Sequence, residues 1–94
     1  MEDARSLLQV SVLEKLSSTT ISVRWSDPCS GHYASQIWGA ATARASSICV
    51  LSGEPIRRGD LIFRPRAYGA QAPMNHHRMI LASVIAGLDP ESPL

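Results

Sequence analysis

Five residues of this chain carry side chains that suit a transition metal: Cys29, His32, Cys49, His76 and His77. Zinc takes four soft or borderline ligands in a tetrahedron. Cys29-x-x-His32 has ligand-like spacing, because one turn can present both side chains. Cys49 and the His76-His77 pair would complete a set. Adjacent histidines on a helix point about 100° apart, so only one of them suits a regular site. The paired-cysteine spacing of common zinc modules is missing. The expectation is therefore a fold without cofactor, with zinc at Cys49, His76, His77 and Cys29 or His32 as the alternative. Two cysteines allow a single bridge, and the acidic Met1-Glu2-Asp3 start lacks the features of an export signal, which implies reduced thiols in a cytoplasmic protein. A thiolate beside a histidine could serve as a nucleophile. No motif supplies a third orienting group, and there is no P-loop, dinucleotide fingerprint or nucleophile elbow. Asp27 and His32 could pair as acid and base across a turn, or simply hydrogen-bond that turn. The chain reads as a non-enzyme.

Arginine is the second chemical signal. The chain has eight arginines and one lysine, and its net charge is +1. That charge is uneven: residues 18–78 sum to +4, whereas residues 1–17 and 79–94 sum to −1 and −2. Arg57, Arg58, Arg64 and Arg66 lie on or beside one expected hairpin, with Tyr68 close by. Guanidinium groups suit bidentate contact with carboxylate or phosphate. The expected use is an acidic protein partner. The alternative is nucleic acid, although only one aromatic residue accompanies the arginines and single-strand binders stack several bases. Arg58-Gly59-Asp60 spells an adhesion tripeptide but reads as a β-turn, with Gly for φ and Asp for a side-chain-to-backbone bond.

These residues need elements to position them. The chain has 94 residues, 45% hydrophobic and 18% charged, which fits one globular domain with an ordered core over about 7–88. No apolar run approaches the roughly 20 residues of a membrane span. Residues 7–16 suit either a strand or a helix, since Leu8, Val10 and Val12 alternate while Leu8, Val12 and Leu16 recur every fourth residue. Thr19–Trp25 alternates cleanly and predicts a strand. Ser26–Gly31 is dense in turn formers. Strands are expected over 32–38, 46–51 and 61–64, the last stopped by Pro65, and a loop over 67–74. Trp25, Tyr33 and Trp38 should stack as a core cluster. Asn75 reads as the N-cap of a helix over 76–86 that stops at Gly87. Leu81 and Ile85 fall on the flank of that helix, where they would offer an apolar surface to a protein partner or to a second copy as a homodimer.

Several of these segments look familiar together. Trp25-Ser26-Asp27-Pro28, Gly31-His32-Tyr33, Gln36-x-Trp38, Cys49-x-x-Ser52-Gly53-x-x-Ile56-x-Arg58-Gly59-Asp60, Arg64-Pro65-Arg66 and Arg78-Met79-Ile80 resemble a family of short bacterial proteins, domain of unknown function 3331. The resemblance covers about residues 20–86. It implies a bacterial cytoplasmic origin and assigns no catalytic residue. Cys49–Arg64 also resembles a treble-clef zinc knuckle in which Ser52 stands where a second thiolate belongs.

The composite expectation is an α+β domain. An antiparallel sheet of four or five strands, open or curled into a partial barrel, packs against one C-terminal helix. Its function would be that of an interaction or regulatory module, using Arg57, Arg58, Arg64, Arg66 and Tyr68 together with the Leu81–Ile85 face.

Overall fold

A computed structural model describes residues 8–67 and 72–88. Seven strands and one helix follow in order: β1 (Gln9–Lys15), β2 (Thr20–Asp27), β3 (Gly31–Thr42), β4 (Ser47–Ile48), β5 (Pro55–Ile56), β6 (Leu61–Pro65), β7 (Ile80–Leu81) and α1 (Ala82–Ala86). The main sheet is antiparallel, in the order β1-β2-β3-β6-β7. β4 and β5 form a separate two-stranded ribbon. Bulges between Val12 and Glu14 and between Val23 and Trp25 interrupt the register. Bulges of this kind increase local twist, and the sheet curls into a half-barrel. No helix among the described residues is long and apolar enough to cross a membrane.

The long strand β3 organises the molecule. Its residues 31–39 pair with β2, and its residues 38–42 pair with β6 on the opposite edge. Gly31 permits the start of β3 because it sits at φ +98°, a conformation that side chains disfavour. Alternation then sorts the two faces. Ile21 stands opposite Trp38, Trp38 opposite Pro65, and Ala40 opposite Phe63, so these residues share the core face. Trp25, Trp38 and Val23 are fully buried. The two indoles meet at 5.9 Å between centroids, and Tyr33, opposite Trp25, packs half-buried against the core, so the expected cluster is centred on the tryptophan pair. Gly39 and Arg64 oppose each other on the other face.

Three sequence expectations are corrected. Residues 46–51 do not join the main sheet. Only Ser47–Ile48 are strand, and the Cys49 and Val50 amides bond outward to the Glu54 and Met79 carbonyls. Asn75 is not a helix cap. Residues 74–77 form a turn, Ile80 pairs with Phe63, and the helix spans only Ala82–Ala86 without a side-chain cap. Long-range pairing to β6 overrides local helical preference here. Finally, Leu81 and Ile85 are not exposed. Leu81 pairs with Ile62, and Leu81 and Ile85 both belong to the core, at 8% and 4% exposure. The face expected to serve a partner or a homodimer is thus internal packing.

Candidate functional site

Pro65 decides which way its neighbours face. It is buried and stands opposite Trp38. Strand alternation therefore turns Arg64 and Arg66 to the outer face. Both are exposed, and the Arg66 amide still bonds the Ile37 carbonyl at 3.0 Å, which carries the strand direction past the proline. Beneath them lies Gly39. A Cβ built on Gly39 would stand 2.7 Å from Arg66 Nε and 3.4 Å from its Cγ. A side chain at position 39 would push the exposed Arg66 off this position across the strand.

Arg64 and Arg66 border a cleft of about 480 Å³. Gly39, Ala40 and Ala41 form its floor, and His76 stands at its edge. No carboxylate is among the described residues that line it. The lining is thus rich in N–H donors beside small apolar groups.

His76 reaches the cleft because Asn75 is pinned. The Asn75 side chain is wholly buried. Its Nδ2 donates to Gln36 Oε1 at 3.0 Å, and Gln36 Nε2 donates back to Asn75 Oδ1 at 3.0 Å. Trp38 Nε1 also donates to Gln36 Oε1, at 3.0 Å. This amide pair ties the 74–77 turn to β3. His76 Nδ1 donates to the Pro73 carbonyl at 3.1 Å, leaving Nε2 as the ring nitrogen without that role.

The four arginines of the expected hairpin separate into two pairs. Arg57 and Arg58 occupy the turn before β6, where Asp60 Oδ2 accepts the Arg57 amide at 2.8 Å and Gly59 takes φ +98°. Arg58-Gly59-Asp60 is therefore a β-turn, as expected. From Leu61 to Pro65 the strand covers about 13 Å, which separates this turn from Arg64 and Arg66. Tyr68 lies outside the described residues.

The metal-type residues are dispersed. Cys29 is exposed at the β2–β3 turn, and Cys49 is buried with its Sγ accepting the Leu81 amide at 3.4 Å. His32 Nδ1 pairs with Ser26 Oγ at 2.7 Å. His76 and His77 meet each other edge to face at 5.5 Å. Among the described residues no group of three or more His, Cys, Asp or Glu side chains comes together around a common point. Asp27 and His32 likewise have separate partners, since Asp27 accepts from the Ser30 hydroxyl and the Cys29 amide.

Sequence reasoning located Arg64 and Arg66 but missed Gly39, Gln36 and Asn75. Gly39 had a signal, being a glycine inside an otherwise extended run, which often marks close approach by another group. Gln36 and Asn75 had none, because 39 residues separate them.

No curated protein and no solved structure is significantly similar to the chain. A family model matches it over residues 2–87, which contain the described strands, the arginine cleft and the Gln36–Asn75 pair. The chain with this half-barrel and its arginine-bordered cleft therefore belongs to the family described as Domain of unknown function (DUF3331).

Proposed function

We propose that the domain is a non-enzymatic interaction module of the bacterial cytoplasm, and that it binds an acidic segment of a protein partner at the Arg64–Arg66 cleft. One observation carries the reading: two outward guanidinium groups border a concave site with no lining carboxylate among the described residues. Guanidinium donates in a planar fork that matches carboxylate oxygens. Arg57 and Arg58 add positive charge at the far end of β6, where they would speed encounter with an acidic partner more than they would tighten it. The burial of Leu81 and Ile85 removes the helix face from this reading and leaves the arginine surface as its basis.

The test is fluorescence anisotropy with a labelled oligoglutamate peptide and a labelled random single-stranded oligonucleotide, each at low and high salt. The expected result is peptide binding that Arg64→Ala and Arg66→Ala weaken while Arg24→Ala does not. Tighter oligonucleotide binding with a steep salt dependence would instead favour a nucleic-acid partner, since phosphate contacts release counterions.

A further inference from the structure

We infer that the cleft recognises a phosphomonoester group, borne by a phosphorylated side chain of the partner or by a small molecule. This rests on the reading above and narrows it from an acidic segment to a phosphoryl-bearing one. Four observations converge. First, Arg64 and Arg66 turn to the same face because Pro65 between them is buried. Second, Arg66 lies across Gly39: its Nε and Cγ occupy the space that a Gly39 side chain would need. Third, His76 is carried to the cleft on a turn locked by the buried Gln36–Asn75 amide pair. Fourth, Gly39, Ala40 and Ala41 line the cleft, so beside Arg66 itself the strand contributes only small groups there.

Donor count and charge then choose the ligand. A carboxylate has two oxygens and a single charge, and one guanidinium fork satisfies it. A phosphomonoester has three terminal oxygens and a charge of about −1.5 to −2 at neutral pH. Two guanidinium groups on one strand face, with an imidazole at the rim, suit the second and over-supply the first. The volume of about 480 Å³ also exceeds what a lone carboxylate fills, and it leaves room for the group that carries the phosphate.

The deciding experiment keeps every charge and moves one side chain. Gly39→Ala adds a methyl where Arg66 now lies, and Arg66→Lys keeps the charge but removes the fork. Neither alters the core, and thermal melts verify folding. Binding is read by anisotropy with a labelled phosphoserine peptide and with its glutamate counterpart. Inorganic phosphate and a single-stranded oligonucleotide serve as competitors.

The expected result is that the phosphoserine peptide binds at least about tenfold tighter than the glutamate peptide. Each variant should erase most of that preference by weakening phosphoserine binding more than glutamate binding, and inorganic phosphate should compete. If inorganic phosphate binds as tightly as the phosphoserine peptide, the site is confirmed and its source is free phosphate or a small ester. Equal binding of the two peptides, indifferent to Gly39→Ala and Arg66→Lys, overturns the phosphoryl inference while the acidic-segment reading stands. Binding of neither peptide overturns both. Displacement by the oligonucleotide at matched phosphate concentration overturns the monoester assignment in favour of a phosphodiester backbone.

Discussion

Each buried tryptophan passes its indole N–H into a polar network, and the two networks differ in reach. Trp25 Nε1 donates to Ser30 Oγ at 3.1 Å, and the Ser30 hydroxyl donates to Asp27. That network closes within one hairpin tip. Trp38 Nε1 donates to Gln36, whose amide is paired with Asn75 from 39 residues away. The first network needs only a turn to form, and one of its members, Asp27, borders solvent. The second needs the whole sheet in place, and Asn75 within it is wholly buried. A buried polar group left without a partner costs far more than the net value of the bond it made. The long-range network should therefore be the more fragile to deletion.

Asn75→Ala tests this most severely. It leaves Gln36 Nε2 without its partner, strips Gln36 Oε1 of one of its two donors and opens a small cavity, so we expect a loss of about 2–3 kcal/mol in urea unfolding. A loss near 1 kcal/mol would mean that water repairs the gap and that the contrast is weak. Ser30→Ala should cost less, about 1–2 kcal/mol, because Asp27 can turn to solvent and only the indole N–H stays unpaired.

The pH dependence sharpens the same contrast. The Ser30 hydroxyl, opposed by partial burial and helped by the Cys29 amide and the charge of Arg78, holds the Asp27 carboxyl below its ordinary value. A carboxyl whose pKa is lower in the folded state favours folding above its unfolded pKa of about 3.9, and that contribution disappears as pH falls through the folded value. The melting temperature should thus hold steady on acidification to about pH 4 and drop below it. In Ser30→Ala the acid-side drop attributable to Asp27 should shrink. The Gln36–Asn75 pair contains no titrating group, so Asn75→Ala should lower the whole curve without changing its shape.

The smallest effect belongs to the thiols. Cys29 at the hairpin tip is exposed, whereas Cys49 is 1% exposed. Iodoacetamide on the native protein should modify Cys29 with little change in melting temperature. It should reach Cys49 only at the rate of opening. Mass spectrometry of the two tryptic sites reads the difference.

This contrast also explains what could be read from the chain in advance. The hairpin tip was legible because Asp27-Pro28-Cys29-Ser30-Gly31 encodes a turn by local conformational preference, and Ile21, Val23 and Trp25 declare their shared face by alternation. The shared face of Arg64 and Arg66 was less legible, because Pro65 reads as the end of a strand yet pairs with Trp38 inside β6. The end of the chain was not legible. Asn75 before a stretch free of Gly and Pro satisfies the local conditions for a helix start, yet its partner is Gln36 and the later Ile80 pairs with Phe63. Nothing between residues 70 and 86 announces a strand partner in β6. The same blindness hid the burial of Leu81 and Ile85, since an apolar flank looks identical in sequence whether it meets water or the underside of a sheet.

The alternation around Pro65 has a consequence that precedes any ligand. Along β6, Phe63 and Pro65 belong to the core face, and Arg64 belongs to the opposite one. If β6 slid along β3 by a single residue, Arg64 would be turned to the face that now holds Trp38, and Phe63 would leave it. Placing an unpaired guanidinium there would cost several kcal/mol. The correct pairing has no such penalty. Arg64 thus weighs the energy balance against any sheet whose last long strand is misaligned by one residue.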